Sequence, residues 1–374
     1  MKIAIDVRSL MEGGVSGIER YTAEMVRALA AVAPQNEYHL FYNSARKVTL
    51  PDFGSGVAVH EFRYPNKVFK LAQRFLDAPK WDRWLPAVDC VFMPSLGLVP
   101  LSAGLPLVSV FHDLSYEHFP ELFNFKQRVW HAVMKPRQLA QRSQAVIAVS
   151  EHTKQDLVNV YGVPEEKVQV VYSGVSLGLT TGPAFAKASA GRPVAGLPAH
   201  FVLYLGTLEP RKNVDSLICA YSAIADHVAQ DLVIAGAAGW STGEIDKAMR
   251  ASRARDRIHV LGFIPEEEKA ALYTAADLFV YPSLYEGFGF PPLEALLAGT
   301  PVVTSFNSAL PEVVGEWATL VDPYDVGELA LVLRELLGEL PLVPGFVQET
   351  IRARFSWERA ARETLGVLAR VAYP

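Results

Sequence analysis

Two glutamates eight residues apart, Glu286 and Glu294, flank a loop of glycine, phenylalanine and proline in the segment Tyr281–Gly299, YPSLYEGFGFPPLEALLAG. Gly287 and Gly289 allow the backbone to approach a ligand closely. The amides of Phe288, Gly289 and Phe290 lead into the positive end of a helix that Pro291 or Pro292 opens. Such a loop suits hydroxyl and phosphate oxygens. Glu294 is expected in the first helical turn, where an acidic residue also serves as a cap. Glu286 precedes the loop and has no such structural task.

A second segment, Leu203–Asn213, reads LYLGTLEPRKN and places Arg211 and Lys212 after a strand, ahead of a helix starting at Asn213 or Val214. Two cations beside a helix N-terminus form a diphosphate clamp, although a basic pair in a loop is commonly just solvated. The N-terminal loop SLMEGGVSGIERYT sets Gly13 and Gly14 between a first strand and a first helix. That pattern asks for a tight turn before it asks for a ligand. In Val108–Phe119, VSVFHDLSYEHF, His112 follows a buried strand at the carboxyl edge, where open α/β sheets bind ligands. Gly174–Gly178, GVSLG, fits the nucleophile-elbow spacing, but no helix is expected after it. There is no HExxH, Walker A or DxD motif. Positive charge and helix dipoles, rather than a metal, are then expected to neutralise a leaving anion.

Elements that hold these residues recur along the whole chain. Short apolar runs such as Ile3–Val7, Cys90–Met93, Leu107–Phe111, Phe201–Leu205 and Leu278–Tyr281 alternate with helical patterns such as Gly17–Ala33, Val214–Ala225 and Glu266–Ala275. Fully apolar strands separated by helices indicate parallel sheets covered on both faces, and thirteen candidate strands are too many for one sheet. The fold class is therefore α/β, with two doubly wound, Rossmann-like domains. The expected boundaries are 1–175, a Gly/Ala/Ser/Pro-rich linker at 176–200, a second domain at 201–356, and an amphipathic C-terminal helix at 357–374 returning to the first domain.

Composition fits this picture. The 374 residues are 50% hydrophobic and 20% charged, which excludes a disordered chain. A net charge of −5 argues against a dedicated nucleic-acid binder. Two cysteines make neither a zinc site nor a disulfide framework, so a reducing, cytoplasmic setting is expected. MKIAIDV reads as a strand rather than a signal peptide, and no run of 18 apolar residues suggests a membrane span. Residues 122–150 contain no acid but carry Lys126, Arg128, Lys135, Arg137 and Arg142 among aromatic residues. This is either a solvated helix face or a contact for an anionic membrane or a phosphorylated acceptor.

The run EGFGFPPLEAL, with Glu286 and Glu294 at the family's spacing, resembles the signature of glycosyltransferase family 4. The surrounding AADLFVYPSLYEGFGFPPLEALLAGTPVV extends the match. The resemblance implies a GT-B fold, with the two domains facing a cleft, and retaining transfer from a nucleotide diphosphate-sugar without a cofactor or metal. It implies that Glu294 binds the ribose hydroxyls and that Arg211 and Lys212 neutralise the departing diphosphate. Glu286 and the amides of Phe288, Gly289 and Phe290 then orient the sugar, His112 lies near it, and Gly13 and Gly14 line the diphosphate and acceptor. Thr207 stands directly after the strand-ending glycine, where many members carry an arginine; Arg211 is the candidate to replace it. GTLEPRKN with FHDL is similar to bacterial mannosyltransferases of surface polysaccharide assembly. That similarity implies GDP-mannose as donor and a saccharide or polyprenyl-linked saccharide as acceptor, reached at the cytoplasmic membrane face. A same-fold nucleotide-sugar 2-epimerase and a catalytically silent sugar-nucleotide binder stay open as alternatives.

Overall fold

The computed structural model of the protein describes all residues except 12–16, 45–47, 49, 55, 99, 178–195 and 374, and omits the side chains of 66–68, 70 and 71. Gly13 and Gly14 therefore lie outside the described residues, as does most of the stretch read as a linker. The chain divides into two compact units, Met1–Gly174 with Phe355–Pro374, and Val175–Arg354.

In the first unit the strands are β1 (Lys2–Asp6), β2 (Glu37–Asn43), β3 (Val57–Phe62), β4 (Cys90–Met93), β5 (Leu107–Phe111), β6 (Ala145–Ala148) and β7 (Val168–Val170). They form a parallel sheet in the order β3-β2-β1-β4-β5-β6-β7. The second unit has β8 (Phe201–Leu205), β9 (Asp231–Ala235), β10 (Ile258–Gly262), β11 (Leu278–Tyr281), β12 (Val302–Ser305) and β13 (Thr319–Val321). These form a second parallel sheet in the order β10-β9-β8-β11-β12-β13. Each is a doubly wound α/β sheet. Central strands such as β5 and β8 are buried along their whole length, which is why they carry no polar alternation.

Strand order reverses once in each sheet, between β1 and β4 and between β8 and β11. Successive crossovers leave in opposite directions there, so the loops beyond those carboxyl ends diverge and open a crevice. The loop after β8 carries Arg211 and Lys212, and the loop after β11 carries Glu286. His112 follows β5 in the other sheet.

Helix Trp357–Ala372 belongs to the first unit and packs on helix Gly17–Val32. The Trp357 ring lies edge-on to Tyr21, with centroids 5.6 Å apart. Gly174 is in contact with Trp357, and a Cβ on Gly174 would overlap it. No helix follows the GVSL of the elbow-like motif within the described residues Gly174–Leu177. Among the described residues no helix is long and apolar enough to cross a membrane.

Candidate active site

The site in the second unit starts from two turns that the sequence makes tight. After β8 the chain passes Gly206, leads through a short 3-10 turn at Pro210–Lys212, and enters helix Val214–Ile224 through Asn213. Asn213 sits at φ 57°, a left-handed conformation that asparagine tolerates better than most residues. Its side-chain amide donates to Pro282 O at 3.1 Å and Pro323 O at 2.7 Å. Its Oδ1 accepts from Ser216 Oγ at 2.6 Å. One asparagine thus ties together the loops that follow β8, β11 and β13. Gly236, with φ +145°, lets the loop after β9 run against Gly206, because a Cβ there would strike the Gly206 carbonyl.

On that frame Arg211 and Lys212 meet Glu286 across 75 and 74 residues of sequence. Lys212 Nζ donates to Glu286 Oε1 at 2.5 Å, and Ser283 Oγ donates to the same oxygen at 2.7 Å. Arg211 Nη1 donates to Glu286 Oε2 at 3.2 Å and to Tyr285 O at 2.6 Å, while Nη2 donates to Glu209 Oε1 at 2.7 Å. Lys212 also lies 5.3 Å from the centroid of the Tyr281 ring, a cation–π contact. Tyr281 in turn stacks on Tyr204 at 5.8 Å. Glu286 and Lys212 are both 8% exposed. Burial alone pushes the Glu286 carboxyl up, but the charges of Lys212 and Arg211, with hydrogen bonds from Lys212 and Ser283, override it and hold the carboxyl at about 2.

Two buried carboxylates and two cations thus compensate each other. The expected clamp is therefore not a solvated basic pair: Arg211 and Lys212 are preorganised by Glu286 and Glu209. Lysine keeps further N–H donors after its bond to Glu286, so Lys212 retains capacity for an incoming anion.

Glu294 lies elsewhere than expected within its helix. Helix Phe290–Ala298 starts one residue before the double proline and has no acid in its first turn. Glu294 is the fifth helical residue, so it does not cap. It is 2% exposed, and its Oε2 accepts from Tyr273 OH at 2.9 Å. Gly289 is the N-cap, at φ +105°, and a Cβ there would come within 2.8 Å of Leu310 Cδ2. Phe288 is buried and meets Phe290 edge-on at 5.1 Å. Thr207, where many family members carry an arginine, is exposed.

His112 is carried by the first unit. Its Nε2 lies 2.8 Å from Pro94 O; a carbonyl only accepts, so Nε2 bears the proton. Burial holds the ring below its ordinary value of 6.5, against smaller opposing effects of the Pro94 bond and Asp113. The neutral ring then offers Nδ1 as an acceptor. Tyr21 packs edge-on to it at 4.6 Å.

Glu209, Ser283, Asn213 and Ser308, whose hydroxyl accepts from the Glu286 amide at 2.9 Å, complete the constellation and were not singled out from sequence. Asn213 carries the one local signal, an asparagine at a helix entry. The others reveal themselves only once β8 and β11 are neighbours. Among the described residues no group of three or more His, Cys, Asp or Glu could hold a metal ion.

Two family models divide the chain between them: "Glycosyltransferase Family 4" matches residues 15–179 and "Glycosyl transferases group 1" matches residues 194–342. A D-inositol 3-phosphate glycosyltransferase of Xylanimonas cellulosilytica is 32% identical, over 96% of this chain and 92% of that protein. The chain belongs to glycosyltransferase family 4. The enzyme is also 28% identical to O-antigen chain mannosyltransferase B of Escherichia coli, over 94% of this chain and 95% of that protein. Its fold matches a sucrose-phosphate synthase structure from Thermosynechococcus elongatus with a TM-score of 0.78, covering 99% of this chain and 98% of that one at 21% identity. The two doubly wound sheets are thus those of a GT-B glycosyltransferase.

Proposed function

We propose that the enzyme moves a hexose, with retention, from a nucleotide diphosphate-sugar to a hydroxyl of a saccharide or polyprenyl-linked saccharide in surface polysaccharide assembly, and that the donor is GDP-mannose. The observation that carries the reading is the buried Lys212, paired with Arg211 and Glu286 where the strand order reverses at β8 and β11. The similarity to an O-antigen mannosyltransferase supports mannose as the sugar.

In this mechanism the acceptor oxygen attacks the anomeric carbon on the face from which the diphosphate departs. The bond from that carbon to the phosphate oxygen breaks, and the acceptor's proton passes to a β-phosphate oxygen. Lys212 and Arg211 neutralise the charge that develops there. Glu286, together with the amides of Phe288, Gly289 and Phe290, orients the sugar hydroxyls. Glu294 binds the ribose, and His112 accepts a hydroxyl hydrogen bond at Nδ1. The protein supplies positioning and electrostatics, with no covalent intermediate and no metal. The acceptor is met at the cytoplasmic membrane face through residues 122–150, where Phe125 and Val129 are exposed among basic side chains.

A thermal-shift series with GDP-mannose, GDP, UDP-glucose, UDP-N-acetylglucosamine and UDP tests the donor. A ligand that binds only the folded state contributes about 2.7 kcal/mol at a hundredfold excess over Kd. A shift confined to the guanine nucleotides supports GDP-mannose. A shift confined to the uridine nucleotides replaces it, and no shift with any of them refutes the nucleotide-sugar reading.

A further inference from the structure

A cavity of about 540 Å³ lies within the first unit, and its wall includes Gln73 on helix Asn66–Leu76. Gln73 is 4% exposed, and both its amide nitrogen and its amide oxygen are buried without a hydrogen-bond partner. Native proteins leave few side-chain amides in that condition, since desolvation is costly unless a partner replaces water. A ligand entering the cavity can supply both a donor and an acceptor to it.

The ionisable wall is strongly unbalanced. Arg74, Lys80, Lys135 and Arg142 face a single acid, Asp77. Lys80 is bonded to Asp77 at 2.5 Å. The Lys135 ammonium has no hydrogen-bond or ion-pair partner among the described residues. Lys135 sits at φ 52°, between helices Phe125–Met134 and Pro136–Arg142, so its side chain is set at the junction of two rigid elements. Leu101, Met134 and Leu139 give part of the wall an apolar character, and a charge-assisted bond formed beside apolar groups is stronger than one in open water.

We propose that this cavity is a subsite for a phosphate ester, the phosphorylated part of the acceptor. Lys135, Arg142 and Arg74 bind the phosphate oxygens, and Gln73 binds an ester oxygen or adjoining hydroxyl. An excess of cations converging from separate elements suits a phosphate group, with two or three free oxygens, better than a single carboxylate. A bare phosphate ion leaves most of the cavity empty and does not account for the amide. The loop after β4 connects this subsite with His112: Pro94 O bonds the His112 ring, and Gly97 and Leu98 of the same loop line the cavity. The identification of the occupant as acceptor rests on the transfer reaction proposed above, whereas binding of the ester does not.

Calorimetry with mannose 1-phosphate, and co-sedimentation with phosphatidylcholine vesicles with and without phosphatidic acid, test the subsite on the full chain. The double variant Lys135→Gln/Arg142→Gln is expected to weaken binding by more than tenfold, each hydrogen bond to a charged group being worth about a factor of ten. Binding of the soluble ester with that dependence identifies a free sugar phosphate. Binding only to the phosphatidic acid vesicles identifies a lipid-borne one where Gln73→Met weakens it as well, since that change leaves the charge of residues 122–150 intact; vesicle binding lost in the double variant but unchanged in Gln73→Met reports the basic face alone and overturns the subsite. Binding of neither, or binding unchanged in the double variant, overturns the subsite. Gln73→Met should raise the melting temperature, because it removes an unpaired amide, while reducing affinity for whichever ester binds. Unchanged affinity overturns the role given to Gln73. GDP-mannose is titrated in parallel on the wild-type protein: its failure to bind while the ester binds counts against the donor assignment and leaves the subsite standing.

Discussion

Glu286→Gln keeps the shape of the side chain and removes its charge. In the wild-type protein the carboxyl is held at about 2 rather than 4.5 by Lys212 and Arg211. A depression of that size corresponds to about 3 kcal/mol of stability at neutral pH. Because the folded-state value is the lower one, this contribution is complete above 4.5 and is lost as pH falls from there through about 2. In a unit of this size about 3 kcal/mol corresponds to a fall in melting temperature of roughly 6–12 °C at pH 7. That difference between wild type and variant should shrink towards pH 3. Transfer should fall by about a hundredfold or more, since Lys212 and Arg211 lose the group that positions them and small displacements at a reacting centre are costly. Affinity for GDP should stay level or tighten, because the carboxylate that competes with the diphosphate for both cations is gone. Calorimetric melting across pH 3–8, GDP titration and a transfer assay read the three effects separately. Undiminished transfer together with an unchanged melting temperature would refute both the electrostatic and the catalytic reasoning.

Other perturbations follow from the same geometry. Asn213→Ala leaves the Pro282 and Pro323 carbonyls without their shared donor and should cost about 2–4 kcal/mol by denaturant unfolding, with transfer lowered as the three loops loosen. Gly289→Ala places a Cβ in a left-handed conformation and against Leu310; a loss of about 1–3 kcal/mol and a lower kcat are expected, and an unchanged melting curve would show that the loop adapts. His112 stays neutral below its ordinary value of 6.5, so kcat/KM should be flat from pH 8 to below 6.5. An inflection at or above 6.5 assigned to His112 by its loss in His112→Asn would contradict the lowering of the ring by burial. Excess EDTA should leave transfer from GDP-mannose at full rate, since Arg211 and Lys212 supply the positive charge; restoration of a lost rate by magnesium would show a metal in the reaction.

The fold was legible because the central strands are short, predominantly apolar runs, such as CVFM, FVLYL and LFVY, that no amphipathic helix imitates. All thirteen strands fall within two residues of the segments read from sequence. The site was only half legible. Local signals placed Arg211, Lys212, Glu286 and Gly289 on loops beyond strand ends. They could not show that the cations are already paired, because that depends on which strands adjoin, and β8 and β11 are separated by 72 residues. The expectation that Glu294 lies in the first helical turn fails because a double proline is a strong opening signal, whereas Gly289 lets the helix begin at Phe290. Gln73 carries no sequence signal at all, since an isolated glutamine on an amphipathic helix reads as surface.

The way the chain is divided also sets the order in which a ribosome can complete it. The second unit, Val175–Arg354, is inserted into the first, whose helix Trp357–Ala372 is synthesised only after it. At about 5–20 residues per second, translating the insert takes roughly 10–40 s. During that interval the face of helix Gly17–Val32 that receives Trp357–Ala372 is uncovered, and Tyr21 lacks its Trp357 neighbour. The second unit has its whole sequence available first and can close its sheet while the first still waits. A nascent chain stalled before Trp357 should therefore protect the later-encoded sheet from protease more fully than the earlier one.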